Sequence, residues 1–122
     1  MIHDELVSYG VAKLAKEKGF NEGCLFYYQN GVTESDGCYN HYNMGNKNIC
    51  SAPTQNLLQR WLREEKKWNI VVRMYEDKGY YWFIQNSKGQ LQESYFTYAD
   101  EMFDTYELAL DDALKYALEN LV

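Results

Sequence analysis

The sequence predicts a single α+β domain, residues 1–122, with three helices packed on a small, mainly antiparallel sheet. Three observations carry that expectation. The last twenty residues, 103–122, form one apolar stripe at helical period, and so does the stretch 53–68. Between them lie runs of β-branched and aromatic residues separated by turn signals. The C-terminal part therefore reads helix, strand, strand, a weaker third strand, helix.

The first helix is expected over 4–18, where Leu6, Val7, Val11, Leu14 and Ala15 make the stripe. Lys16 and Lys18 suit the negative end of its dipole, Gly19 suits the position after the cap, and Phe20 can pack back over the last turn. Cys24–Gln29 reads as a strand ended by the turn pair Asn30-Gly31. Residues 30–52 have no period but are too apolar for a flexible linker, so they read as an ordered loop with room for a short strand pairing to 24–29. Long loops in small proteins tend to carry function.

Pro53 is expected to open the second helix, where its missing N–H does no harm. On a wheel of about 100° per residue, Leu57, Leu58, Trp61, Leu62 and Trp68 share one side. Arg60, Arg63 and Lys67 share the other. Strands follow at 70–75, 80–85 and 91–98, with turns at Asp77-Lys78-Gly79 and Ser87-Lys88-Gly89. In the last helix Asp104 is placed to cap, Glu107 to complete a capping box and Phe103 to staple onto Leu108. Asp111, Asp112, Lys115 and Glu119 then form a solvated face.

Charge narrows the function. The chain carries a net charge of −6, unevenly spread. Segment 53–90 has seven basic residues against four acidic, and segment 91–122 has one against eight. An acidic chain repels nucleic acid unless its positive charge is gathered in one place. The order of elements over 53–121 matches the double-stranded RNA-binding domain, which meets phosphates at the start of its last helix. Here that start is acidic, Asp104 to Asp112, so phosphate contact there is repulsive and nucleic acid is not the expected partner. Twelve tyrosines and three tryptophans suit half-buried sheet faces and contact surfaces. Tyr39 and Tyr42 therefore join Arg60, Arg63 and Lys67 as candidate partner-binding residues.

Chemistry is sparse. Cys38 and His41, with Cys50 and Cys24, offer zinc-type ligands, but no paired cysteine knuckle is present and the spacings are irregular. No local pattern joins a cysteine to His3 or His41 as nucleophile and base. Adjacent carboxylates such as Glu64-Glu65 and Asp111-Asp112 point about 100° apart on a helix and do not form an acid/base pair. No phosphate loop or dinucleotide fingerprint is present. The expectation is no catalytic residue and no cofactor. No apolar run is long enough to span a bilayer, and Met-Ile-His-Asp-Glu lacks the features of a signal peptide, so a cytosolic protein without a membrane partner is expected. An odd count of three cysteines then implies free thiols.

The stretch from Cys50 to Glu64, Cys-Ser-Ala-Pro-Thr-Gln-Asn-Leu-Leu-Gln-Arg-Trp-Leu-Arg-Glu, resembles a segment of small proteins of no established function in Bacteroides-type bacteria and their phages or prophages. Ala12–Phe20 resembles their opening helix, and Thr105–Leu110 with the following Ala-Leu repeats resembles their closing one. The resemblance implies a bacterial or phage origin and an intracellular protein, and transfers no catalytic residue. The expected function is a non-enzymatic interaction module of phage or prophage type that binds a protein partner or itself. One alternative is a metal-binding or enzymatic protein using the 38–50 loop. Another is nucleic-acid binding through the basic face of helix 53–68.

Overall fold

The computed structural model describes residues 3–35, 43, 48–95 and 102–122. The chain divides into two compact units, Met1–Leu57 and Leu58–Val122. The class is α+β as expected, but the antiparallel pairing forms two three-stranded sheets where one was expected.

The first unit holds α1 (Tyr9–Glu17), β1 (Phe26–Gln29), β2 (Val32–Ser35) and β3 (Ile49–Ala52), in sheet order β2-β1-β3. The helix starts at Tyr9 and not at residue 4, because Ser8 caps it by accepting the Val11 N–H at 3.3 Å. The residues before the cap are extended. The Val7 N–H donates to the Pro53 carbonyl at 3.0 Å, and the Gln55 N–H donates to the Glu5 carbonyl at 2.8 Å. Leu6 and Val7 thus belong to a strand-like pairing and not to a helical stripe. At the other end the Phe20 N–H reaches the Ala15 carbonyl and the Gly19 N–H the Lys16 carbonyl, a Schellman closure that buries Phe20 completely. Asn30 and Gly31 sit at φ 52° and 82°, the two-residue turn whose twist matches a β1–β2 hairpin. Asn43 is itself held to the end of α1 and to β3. Its Oδ1 accepts the Ser51 N–H at 2.7 Å, and its Nδ2 donates to the Phe20 carbonyl at 2.8 Å.

α2 (Gln55–Glu65) is capped by Thr54, whose hydroxyl accepts the Leu57 N–H at 3.1 Å. Pro53 is buried and precedes the helix. The helix also ends earlier than its stripe suggests. Lys67 takes a left-handed φ of 66°, and Trp68 leaves the helix, its indole N–H donating to the Leu121 carbonyl at 3.2 Å.

The second unit adds β4 (Asn69–Met74), β5 (Tyr80–Gln85), β6 (Leu91–Tyr95) and α3 (Tyr106–Asn120), in sheet order β4-β5-β6. α3 packs on β4 and β5 and buries Ala109, Leu110, Ala113, Leu114, Ala117 and Leu118. Thr105, not Asp104, caps α3 by accepting the Leu108 N–H at 3.1 Å. Phe103 bridges to Tyr80, and Leu108 is 54% exposed, so the expected staple does not form. Asp112 is half-buried and not part of a solvated face: it accepts the Trp82 indole N–H at 2.9 Å. Tyr116 donates to Glu93 at 2.9 Å. The Ser94 N–H, and after it the Tyr116 hydroxyl, hold the Glu93 carboxyl below its ordinary range, and the bond to Glu93 raises the Tyr116 phenol above its own.

Candidate partner-binding site

The end of α2 and the turn between β5 and β6 enclose a depression of about 340 Å³ lined by Arg63, Lys67, Asn69, Gln85, Asn86 and Ser87, with Gly89. Each wall has a local cause. The left-handed Lys67 turns the chain out of α2, and its Nζ donates to the Glu64 carbonyl at 2.7 Å, near the negative end of the helix. The Asn69 amide donates to Gln85 Oε1 at 3.3 Å across the β4–β5 pairing. The Asn86 side-chain oxygen accepts the N–H groups of Lys88 and Gln90 and so fixes the turn. Two cations and a set of amides line the depression, with no carboxylate among the described residues. Arg63 is exposed and has no hydrogen-bond or ion-pair partner among the described residues.

Arg60 is placed differently. Its guanidinium pairs with Glu64 at 2.9 Å on the exposed face, an i,i+4 bridge that cancels its charge locally. Of the three basic residues singled out in α2 and its end, the structure therefore brings Arg63 and Lys67 together and leaves Arg60 outside. Beyond them, Val71, Arg73, Tyr81 and Phe83 share one face of the sheet by register, with the Arg73 guanidinium 5.3 Å from the Phe83 ring centre.

Tyr39, Tyr42, Cys38 and His41 lie outside the described residues. Cys50 is described, buried and free, and burial raises its thiol above the ordinary range against the pull of Lys16 and Lys13. Cys24 is buried too, its thiol pushed up to about 11 chiefly by burial. Both are thiols and not thiolates at neutral pH, which makes them poor nucleophiles and poor metal ligands. Among the described residues no three His, Cys, Asp or Glu side chains gather as a metal cluster. The first unit does hold a mainly apolar concavity of about 790 Å³, lined by Leu6, Leu25, Phe26 and Leu57 with Cys24, His3 and Asp4.

The sequence pointed to Arg63 and Lys67 through charge alone. It gave no sign of Asn69, Gln85, Asn86 and Ser87, which reach the site through strand register. The turn signal Asn86-Ser87-Lys88-Gly89 after β5 was the available one. No helix among the described residues is long and apolar enough to cross a membrane. Comparison with protein-family models, with curated proteins and with solved structures finds no match.

Proposed function

We propose that this protein is a non-enzymatic interaction module of bacterial, phage or prophage type that docks an acidic segment of a protein partner at Arg63 and Lys67. One observation carries the reading: Arg63 and Lys67 both line a depression that has no carboxylate among its described lining residues. Arg63 offers a planar fork suited to bidentate pairing with a carboxylate. The likeness of the Cys50–Glu64 segment supports the bacterial or phage setting and a cytoplasmic location. The raised thiols of Cys24 and Cys50 argue against nucleophilic chemistry.

The test is fluorescence anisotropy with a labelled decaglutamate peptide and a labelled ten-nucleotide single-stranded DNA, at low and high salt. The expected result is salt-sensitive peptide binding that Arg63→Glu/Lys67→Glu weakens by tenfold or more, with much weaker DNA binding. Absence of peptide binding at low salt overturns the reading. Equal or tighter DNA binding with the same dependence on the variant replaces it with nucleic-acid recognition.

A further inference from the structure

The second unit is polar from end to end. Arg63 and Lys67 stand beside the Asn69–Gln85 end of the β4–β5 pairing. The start of α3 stands at the other end, where Tyr80 bridges to Phe103 and its ring lies 6.1 Å from that of Tyr106. Six-residue strands at about 3.3 Å per residue hold the two ends roughly 20 Å apart. Asp104, Tyr106, Glu107 and Leu108 are all exposed there, at 40% for Tyr106 and 54% for Leu108. An acidic turn carrying exposed apolar groups thus sits at one pole, and at the other a basic depression with no carboxylate among its described lining residues. Within one copy the poles are too far apart to meet.

Resting on the reading above, we infer that the acidic segment Arg63 and Lys67 receive is the Asp104–Leu108 turn of a second copy of this chain, docked head to tail. Charge complementarity carries the choice of occupant. Asp104 supplies a carboxylate to Arg63 and Lys67, Glu107 adds to the negative charge of the turn, and Leu108 and Tyr106 supply apolar area to exclude water around them. The patches at the two poles differ, so the contact is heterologous. Each bound copy keeps one free basic pole and one free acidic pole, and association continues past the dimer unless the rotation closes a ring.

Sedimentation velocity on the full chain at low salt, from micromolar to about millimolar, tests this. The wild type is expected to grow past dimer with concentration and to dissociate as salt screens the contact. Arg63→Glu/Lys67→Glu alone and Asp104→Lys/Glu107→Lys alone are each expected to stay monomeric, with circular dichroism verifying that both are folded. Mixed in equal amounts, the two variants carry opposite charge at every pole and are expected to associate again, and a mixture that stays monomeric overturns the inference. A wild type that stays monomeric throughout overturns the inference, as does association that survives both reversals. The decaglutamate measurement separates the two claims: peptide binding with no self-association leaves the interaction module standing and assigns the site to a different protein.

Discussion

In the unit Met1–Leu57 the concavity beside β1 and β3 is walled by leucine and phenylalanine, whereas in the unit Leu58–Val122 the depression beside α2 is walled by arginine, lysine and amides. The first unit ties its segments together chiefly with backbone groups and asparagine, as the bonds of Val7, Gln55 and Asn43 show. The second adds side-chain pairs between helix and sheet, Trp82 to Asp112 and Tyr116 to Glu93. Its polar groups thus serve both packing and surface chemistry. The difference teaches where to look for recognition: apolar walls accept shape, while fixed charges and amides on a rigid hairpin select a partner by chemistry.

The sharpest way to break this comparison uses two glycines with left-handed backbones. Gly79 has φ 131°, and a Cβ there would lie 2.6 Å from the Phe103 carbonyl oxygen. Gly31 has φ 82°, but its Cβ would meet only the Tyr9 ring at 3.6 Å. Gly79→Ala is expected to cost about 3 kcal/mol or more, conformational strain plus a backbone clash, and Gly31→Ala about 1–2 kcal/mol. Urea denaturation measures both, and equal costs would mean that the close approach of the 102–103 backbone does not constrain the second unit.

Capping comes next. Ser8→Ala and Thr105→Ala each remove the side-chain acceptor of a helix start, for about 1 kcal/mol apiece. Asp104→Ala, at the position the sequence nominated as cap, is expected to cost clearly less than Thr105→Ala in the same denaturation series. The reverse order would restore the capping box.

The smallest effect is that of Tyr116→Phe, which removes the half-buried bond to Glu93. Glu93 is depressed in the folded state, so its contribution is present above the ordinary carboxylate range and fades as pH falls through the lowered value. Tyr116 is raised, so its contribution is present below the ordinary phenol range and fades as pH rises through the raised value. The stability difference between wild type and Tyr116→Phe is expected to be small, present from about pH 5 to pH 9 and to shrink at both extremes. A difference that persists unchanged at pH 2 would assign the effect to packing.

What the sequence could reveal was local. The strand 80–85 and the Asn30-Gly31 turn were legible because each rests on residues adjacent in the chain. The class followed from periodicity. The start of α1 was misplaced because the apolar character of Leu6 and Val7 is spent on pairing with residues 53–55, and strand pairing across nearly fifty residues leaves no periodic trace. Trp68 fitted the α2 stripe by angle, yet the left-handed Lys67 removes it from the helix. Asp112 looked solvated because nothing near it in sequence announces the indole of Trp82. The site was half legible for the same reason: Arg63 and Lys67 stand four apart at the end of one helix, while the amides opposite them arrive through tertiary register.

Lys67 has a consequence of another kind. A left-handed residue after a helix is the place where glycine costs least, and a lysine there carries about 1 kcal/mol of conformational penalty. The bond from its ammonium to the Glu64 carbonyl offsets part of that cost. Putting glycine there would relieve the torsion at the loss of that bond and would also take one of two cations out of the depression. Selection for stability and selection for recognition therefore pull against each other at a single backbone torsion, and a screen for heat-resistant variants should drift toward proteins that have stopped binding.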